Sequence, residues 1–341
     1  MGWWQVDADT LADSRFVVSP LAETTAALKV LHRASGTHPG ERAWLAAHLP
    51  AYRALLADDP VSAALVRAAL GATWNADYLT PTPHGEDSGD GGDADDASFA
   101  QEVARVRAAR PEEARADLTV SLRGPLPPAL RRDDLPERTA RVLEWVWHET
   151  VRPTWRRRRR IVEADIVART VRLGRNGWAA ALDGMRPHLR WLGGSRLQIN
   201  AYDYPPRDLS GTRLLFVPVT PSTGWVAWEE PDGAPHRSHR SAVIYPCAGA
   251  LSAGAEVTPV PRALGTLLGS GRAAVLVLLD TPLSTTQLVE LTGQGLGSVG
   301  RHLRVLREAR LIQRRRAGRS VLYDRTAVGD AVVAAQRDEE A

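Results

Sequence analysis

The sequence predicts an α+β fold: a helical N-terminal region with a small antiparallel sheet, followed by a compact C-terminal unit of short helices and a β-hairpin. Three observations support this prediction. Apolar residues recur with a helical period between residues 20 and 173, they alternate with a period of two between 189 and 245, and both patterns return between 273 and 323. With 341 residues, of which 44% are hydrophobic, the chain is long enough for two or three domains with cores of their own.

The first elements of the chain are predicted to be amphipathic helices joined by short connections. Ser19 and Pro20 supply an N-cap and a first-turn proline for a helix that runs to Leu31. Further helical patterns cover residues 42–56, 61–70, 99–109, 111–122 and 135–173. The last of them contains Pro153, which is expected to break or kink the helix because proline lacks a backbone N–H.

Two charged segments interrupt this helical region. Residues 80–98 are rich in acids and glycines and contain no lysine or arginine, and they are predicted to form a flexible acidic loop. The run Arg156–Arg160 cannot place all five arginines on one face of a helix. We interpret the run as a solvated charged turn with partners such as Glu163 and Asp165, and the alternative is an auxiliary phosphate contact.

A change of period marks the strands that follow the helices. Strand patterns separated by glycine, proline and aspartate turns cover residues 189–191, 196–202, 213–219, 224–228 and 241–245. We interpret them as a small antiparallel sheet packed against the helices. The predicted organisation is an N-terminal α+β domain over residues 1–250, a linker over 251–260, a C-terminal domain over 261–336 and a tail over 337–341.

The C-terminal domain contains two helical patterns joined by a glycine turn. Ser284 is a suitable N-cap for the first helix, and Gly293 lies where a tight turn requires a left-handed residue. In the second helix the apolar face is predicted to consist of Leu296, Val299, Leu303 and Leu306, and the opposite face of Gly297, Ser298, Arg301 and Arg304. This is the spacing of a helix-turn-helix. Composition alone leaves residues 273–279 open between a buried strand and a helix.

A basic hairpin is predicted directly after the helix-turn-helix. Leu311–Ile312 and Val321–Tyr323 are strand-like, and the segment between them carries Arg314, Arg315, Arg316 and Arg319. Nine arginines and two acids lie between residues 301 and 325, whereas the formal net charge of the whole chain is only +3. Such a local density of guanidinium groups suits phosphate, because each neutralised phosphate releases condensed counterions and arginine offers a bidentate fork.

The C-terminal domain resembles the winged helix-turn-helix of the ArsR/SmtB-type bacterial transcription regulators. The resemblance rests on Leu283, Ser284, Leu288, Val299, Arg301, His302, Leu303, Leu306, Arg307, Ala309, Leu311, Arg315, Gly318, Arg319, Val321 and Tyr323. It favours a helix for residues 273–279. The sequence departs from the family at Gly295, where a capping serine is usual, and at Gly297 and Gly300. Each glycine inside the helix costs about 1 kcal/mol relative to alanine, so a soft recognition helix that becomes firmer on DNA is expected.

The N-terminal region also resembles part of this family, an actinobacterial subgroup with a long N-terminal domain of unassigned function. The matching residues at its start are Arg15, Phe16, Ser19, Pro20, Leu21, Glu23, Ala27 and Leu28. Further similar points are Ile161, the segment 163–166 and the segment 244–246. The resemblance thus spans nearly the whole chain, but it implies no role for the N-terminal region.

The resemblance implies a DNA-binding regulator of transcription, a repressor or an activator, that binds double-stranded DNA as a homodimer on an inverted repeat. In that role Ser298 and Arg301 would approach base edges in the major groove. Arg304 and the hairpin arginines 314, 315, 316 and 319 would contact phosphates, and His302 would lie at the packing edge of the helix. Residues 80–98 could alternatively act as an intramolecular mimic of DNA that competes for the hairpin.

A non-metal effector or a partner is expected to act through the N-terminal domain. The family's metal sensors use Cys-x-Cys before the turn or His/Asp clusters on the last helix, and residues 284–291 and 326–336 contain no cysteine or histidine. Candidates for an apolar effector pocket are Trp145, Trp147, His148 and Trp178, although core packing is the simpler explanation for any single tryptophan. Cys247, the only cysteine, is predicted to be a buried structural thiol rather than a redox switch.

No catalytic motif is complete, so neither an enzyme nor a cofactor is predicted. His148-Glu149 begins like a zinc-protease motif, but Arg152 occupies the position of the second histidine. The chain has no run of eighteen apolar residues and no export signal at its start, which predicts a cytoplasmic protein without a membrane segment. Two alternatives remain open: a ligand-processing enzyme domain fused to a DNA-binding tail, and a winged helix used for protein contact.

Overall fold

The computed structural model of the chain describes residues 2–37, 39–83, 92–202, 204–229, 239–247, 260–279, 282–292, 294–317 and 320–335. The α-helices of these ranges are α1 (Ala8–Ala12), α2 (Pro20–Arg33), α3 (Pro39–Asp58), α4 (Pro60–Ala69), α5 (Gly92–Arg107), α6 (Pro111–Leu122), α7 (Leu135–Val146), α8 (Trp155–Leu182), α9 (Arg262–Leu268), α10 (Ser270–Leu278), α11 (Thr285–Thr292), α12 (Leu296–Glu308) and α13 (Ala327–Ala334). The strands are β1 (Trp3–Gln5), β2 (Arg15–Phe16), β3 (Arg190–Gly193), β4 (Arg196–Gln198), β5 (Arg207–Asp208), β6 (Arg213–Val219), β7 (Trp225–Trp228), β8 (Arg240–Pro246), β9 (Leu283–Ser284), β10 (Ile312–Ala317) and β11 (Ser320–Arg325).

The α+β class is confirmed, but the strands of the N-terminal region pair differently from the small antiparallel sheet that was expected. They form two mixed sheets, with strand orders β3-β4-β1-β5 and β2-β6-β8-β7. In the second sheet β2, β6 and β8 run parallel, and β7 is antiparallel to β8. The reason lies in burial: β6 and β8 are covered on both faces along most of their length, which is the usual environment of parallel strands.

Helix α2 lies at the centre of the N-terminal region. Ser19 caps it by accepting a hydrogen bond of 3.0 Å from the Ala22 backbone N–H, with Pro20 in the first turn, as the sequence predicted. Every residue from Pro20 to Leu31 is buried. Helices α3, α5 and α7 pack against α2, and its N-terminal part also packs on the β2-β6-β8-β7 sheet through Ala22 and Ala26. The other face of that sheet packs against β1 and β4.

A buried ion pair joins α2, the end of β6 and α8. Arg158 Nη1 donates to Glu23 Oε1 at 2.7 Å and to Thr220 Oγ1 at 3.0 Å, and the Thr220 backbone N–H donates to Glu23 Oε2 at 2.8 Å. The side chain of Glu23 is 1% exposed and that of Arg158 is 12% exposed. The arginine run therefore lies within a helix and is partly buried, so the prediction of a solvated turn is wrong. Of its expected partners, Glu163 does bind Arg159.

The acidic segment is only partly the loop that was predicted. Residues 84–91 lie outside the described residues, whereas α5 begins at Gly92, so the predicted loop over 80–98 is wrong for its last part. Asp95 and Asp96 are the reason, because they bind Arg159 and Arg152 at the junction of α7 and α8. The hydrogen bonds from Arg152 hold the pKa of Asp96 below its usual value.

The connection from α7 to α8 confirms the predicted break at Pro153. A π-helical turn (Trp147–Val151) and a short 3-10 turn (Arg152–Thr154) separate the two helices. Helix α8 then contributes Ile161, Val162 and Ala164 to the same apolar cluster that forms the core of the C-terminal domain. Cys247 belongs to this cluster and is buried, as predicted, and burial raises the pKa of its thiol. Of the predicted linker, only Val260 lies within the described residues.

Replacement of Glu23 by glutamine is expected to lower the free energy of unfolding by about 3 kcal/mol, because it leaves the buried Arg158 guanidinium without a charged partner. The matched control is Glu113→Gln, which removes an exposed partner of Arg110 and should leave the urea midpoint unchanged, because solvent screens an exposed pair. Urea unfolding monitored by circular dichroism measures both. Equal losses in the two variants would contradict a structural role for the buried pair.

Candidate nucleic-acid interface

The C-terminal domain folds as a helix-turn-helix with a β-hairpin. Helix α10 packs on α11 and α12, and residues 273–278 are helical, as the resemblance implied. Helix α12 buries Val299, Leu303 and Leu306 in the core of the domain. Strand β9 pairs with β11, which in turn pairs with β10, so the hairpin is anchored in a three-stranded sheet beside the helices.

The outer face of α12 is open. Gly297, Ser298, Arg301 and Arg304 are exposed, as predicted from their spacing, and Gly300 is exposed as well. A methyl group added at Gly297 or Gly300 would meet no atom within 4 Å. Thus nothing in the described part of the chain covers this face, and a partner could approach its backbone closely.

Leu296 does not lie on the apolar face of α12, in contrast to the prediction. Leu296 is 63% exposed, because it is the first residue of α12. The helix packs against α10 and α11 only from Val299, one turn later. Gly295 precedes the helix in an extended conformation and supplies no side-chain cap, as its departure from the family pattern suggested. An apolar side chain is therefore exposed at the N-terminal end of α12, beside Ser298.

His302 anchors α12 rather than projecting from it. The residue is half-buried, and its Nε2 atom lies 2.9 Å from Oε1 of Gln294 in the preceding turn. Gly271 on α10 makes room for the ring, since a methyl group there would lie 2.7 Å from His302 Nε2. Burial, with Arg272 and Arg301 nearby, lowers the pKa of His302, which favours the neutral imidazole at pH 7. Sequence reasoning placed His302 at the packing edge but missed Gln294, because only the fold brings the two together.

The hairpin arginines do not all have the same environment. Arg314 is exposed, whereas Arg325 donates to Asp330 at 2.7 Å and to the carbonyl groups of Leu276 and Val277 at 3.3 Å. Arg325 therefore closes the hairpin onto α10 and α13 and is not available for phosphate. The backbone of residues 315–317 belongs to β10, and Arg319 lies outside the described residues.

Five arginines of α12, the turn after it and β10 have no carboxylate partner within the described ranges. They are Arg301, Arg304, Arg307, Arg310 and Arg314, all of them exposed. In the helical N-terminal region, by contrast, exposed arginines such as Arg107 and Arg141 bind glutamates. The domain thus presents positive charge that is not neutralised internally.

The four residues considered for an effector pocket lie in different surroundings. Trp147 is 1% exposed and stacks on Phe99 with ring centroids 4.7 Å apart, within the helical core. Trp145 packs beside that core and His148 is exposed. Trp178 packs in a different cluster, against Phe16 on β2 and Phe216 on β6. Core packing, the simpler explanation, accounts for Trp147.

The described part of the chain shows neither a metal site nor a membrane-spanning helix. It contains no group of three or more histidine, cysteine, aspartate or glutamate side chains arranged to hold a metal ion. It also contains no helix with the length and apolar character that a membrane crossing requires.

The helix-turn-helix matches a known protein family. Residues 272–314, from α10 to the first half of β10, match the family described as "Bacterial regulatory protein, arsR family". The C-terminal region is thus an ArsR-type helix-turn-helix, a domain of DNA-binding transcriptional regulators, and the long N-terminal region is not covered by this match. No curated protein and no solved structure matches the chain.

The substitutions Gly297→Ala and Gly300→Ala are each expected to raise the free energy of unfolding by up to about 1 kcal/mol, because alanine favours the helix and its methyl group meets no neighbour. Gly329→Ala on α13 is the matched control. Its methyl group would lie 2.1 Å from the carbonyl oxygen of Leu311, so this variant should be destabilised. Urea unfolding of the three variants measures the difference, and a loss of stability in all of them would contradict the open helix face.

Proposed function

We propose that this chain, with its ArsR-type helix-turn-helix, is a cytoplasmic transcriptional regulator that binds an inverted-repeat operator as a homodimer and responds to a non-metal effector or partner through its N-terminal domain. The observation that carries the proposal is the open, positively charged outer face of α12. The inner face of the same helix is fixed in the domain core by Val299, Leu303 and Leu306. One face of α12 is thus packed in the core, while its other face is left for a ligand of opposite charge.

The dimensions of α12 suit the major groove. Its 13 residues give a rod about 20 Å long, and the groove of B-DNA is about 12 Å wide. In helix-turn-helix domains the N-terminal part of the second helix contacts base edges, which assigns this role to Ser298 and Arg301. Phosphates on either side of the major groove would be contacted by Arg304 and by the hairpin arginines 314, 315, 316 and 319. His302 would keep the helix at a fixed depth through its contact with Gln294.

A dimer would place two copies of α12 about 34 Å apart, one turn of the duplex, and its two-fold symmetry predicts an inverted repeat. The structure offers apolar side chains for such a contact beside the helix-turn-helix. Leu267 on α9 is 70% exposed and Val328 on α13 is 57% exposed. A second copy of the chain would cover them.

The double substitution Arg304→Gln/Arg314→Gln is expected to weaken binding to duplexes of any sequence. Each phosphate contact contributes about 0.9 to the slope of log K against log salt, so the slope should fall by about 1.8. Fluorescence anisotropy with a mixed-sequence duplex between about 50 and 200 mM salt measures it. Arg315→Ala/Arg316→Ala should have the same effect.

The matched control for charge is Arg53→Gln/Arg175→Gln, which removes two exposed arginines from α3 and α8 and should leave the slope unchanged. Equal slopes for the two double variants would contradict the phosphate contacts. An absence of duplex binding at low salt would contradict DNA binding itself.

Replacement of Arg301 by alanine is expected to relax base preference at one position of each half-site. A bidentate contact to a base discriminates by about 1–3 kcal/mol, so the preference there should fall roughly tenfold or more. Selection from a randomised duplex library measures it, with Arg307→Ala in the last turn of α12 as the control. Identical preferences for wild type and Arg301→Ala would show that this side chain does not read a base.

A further inference from the structure

A pocket of about 450 Å³ lies in the N-terminal region, far along the chain from the helix-turn-helix. It is formed by the C-terminal half of α2, by α4 with the turn that follows it, and by the end of α6. The lining residues are Lys29, His32, Arg33, Arg67, Leu70, Gly71, Ala72, Ser121 and Leu122. Its volume falls within the range of about 300–1,000 Å³ that is typical of sites for small molecules.

The pocket wall depends on a close approach of two chain segments. A methyl group at Gly71 would lie 2.2 Å from the carbonyl oxygen of Ser121 and 2.8 Å from that of Trp74, so only glycine fits. The Ser121 hydroxyl donates to the Ala68 carbonyl at 2.6 Å and fixes the end of α6 on α4. One wall of the pocket is therefore fixed by a specific backbone contact and a hydrogen bond.

The charged groups of the pocket all have the same sign. Four of its lining residues are basic and none is acidic. Lys29 Nζ donates to the side-chain carbonyl of Asn75 at 2.8 Å and lies 5.2 Å from the ring centre of Trp225. Arg33 donates to the hydroxyl of Thr223, at 3.5 Å. Within the described ranges none of the four basic residues is paired with a carboxylate.

Two arginines elsewhere in the helical region show the opposite arrangement. Arg107 binds Glu137 and Glu144, and Arg138 binds Asp59 and Asp134, although these arginines are more solvated than Lys29. Lys29 is only 7% exposed and is also the only lysine in the chain. A charged ammonium in such a place is costly unless an anion accompanies it.

Burial and the neighbouring arginines Arg33 and Arg186 lower the pKa of Lys29 to about 7. Burial, with Arg67 and Arg33, also lowers the pKa of His32. In both cases the surroundings oppose the charged form. A bound anion would reverse this effect, because it favours the protonated ammonium.

We propose that the pocket formed by Lys29, His32, Arg33 and Arg67 binds a small organic anion, a phosphate or carboxylate compound, as the effector of the regulator. The role of the anion as an effector rests on the function proposed above. Binding of the anion to the pocket does not depend on that function. Lys29 contacts the anionic group at the floor of the pocket, and Arg33 and Arg67 contact it from the rim. The apolar side chains of Leu70 and Leu122 contact the remainder of the ligand.

The pocket is connected to the helix-turn-helix through packed elements. Helix α2 carries Lys29 and Arg33 near its C-terminal end and Glu23 near its N-terminal end. Glu23 binds Arg158 on α8, and Ile161 one turn later on α8 packs in the core of the C-terminal domain. An anion that shifts α2 would therefore act on an element that holds the DNA-binding domain.

Isothermal titration calorimetry on the 341-residue chain at low salt tests the site. The probes are glucose 6-phosphate, citrate and inorganic phosphate, and glucose is the uncharged control. The organic anions are expected to bind and glucose is not. A preference for glucose 6-phosphate or for citrate distinguishes phosphate from carboxylate recognition. Failure of all three anions to bind at about 10 mM overturns the proposal, since an unpaired cationic pocket should bind at least one of them.

Arg67→Gln is the decisive variant, because Arg67 is exposed and its loss should not affect folding. The affinity for the anion should fall about tenfold, as expected for one charge-assisted hydrogen bond. Arg53→Gln on α3, which lies outside the pocket, is the matched control and should bind as the wild type does. Equal affinities for these two variants would overturn the assignment of the pocket.

Proton uptake gives a second readout that does not depend on affinity. At pH 8 Lys29 is mostly neutral, and the groups around it are Asn75, Trp225 and the cations Arg33 and Arg186. An anion should raise its pKa, so binding should take up protons at pH 8 and should weaken as pH rises above 7. Calorimetry in buffers of different ionisation enthalpy measures the uptake, which Lys29→Met should abolish.

The two proposals fail separately. Anion binding that depends on Arg67 in a protein without duplex binding would contradict the transcriptional role but leave the pocket intact. Duplex binding without anion binding would contradict the pocket assignment but leave the transcriptional role intact. Circular dichroism of each variant confirms that the fold is retained.

Discussion

The buried contact between Glu23 and Arg158 determines how the rest of the molecule is arranged. Neither charge can be left without a partner in a dry interior, because the desolvation cost of an unpaired ion is several kcal/mol. The contact also engages the backbone of Thr220 at the end of β6. Three segments that are far apart in the chain must therefore meet at one point: the start of α2, the central parallel strand, and the start of α8.

The position of the DNA-binding domain follows from this constraint. Because α8 is fixed at Arg158, its next turn carries Ile161 and Val162 into the core of the C-terminal domain. Farther along α8, Asp165 Oδ2 accepts hydrogen bonds from Arg169 and from the hydroxyl of Tyr245 on β8, at 3.1 and 2.9 Å. The helix is thus held by polar contacts on its inner side and by apolar contacts toward the helix-turn-helix. The N-terminal region and the C-terminal domain share a core through α8. A movement of α8 would therefore change the packing in both.

Features that depend on local chemistry could be predicted from the sequence. The cap at Ser19, the break at Pro153 and the two faces of α12 from Val299 onward follow from residue type and spacing, and all are confirmed. The predicted assignment to the ArsR family is confirmed for residues 272–314. Leu296 was assigned to the wrong face because periodicity gives the direction of a side chain but not the point where packing begins.

Features that depend on contacts between distant segments could not be predicted in this way. The parallel pairing of β6 with β8, and the pairing of Asp95 with Arg159, each join parts of the chain with no shared local pattern. The cationic pocket, too, could be predicted only in part from the sequence. Basic residues at positions 29, 32 and 33 share one face of α2, which is a readable signal, but Arg67 and the wall at Gly71 are added only by the fold. The aromatic candidates Trp147 and Trp178 looked alike in sequence and belong to different cores.

The solitary lysine has a practical chemical consequence. Besides the α-amino group, Lys29 is the only amine that acylating or reductive-alkylating reagents can modify in this protein. A pKa of about 7 leaves much of it unprotonated, and therefore nucleophilic, in neutral solution. A reagent small enough to enter the cavity would thus deposit a single covalent mark inside it. The chain thus offers a single side-chain amine for labels that fit the pocket, without any engineered cysteine.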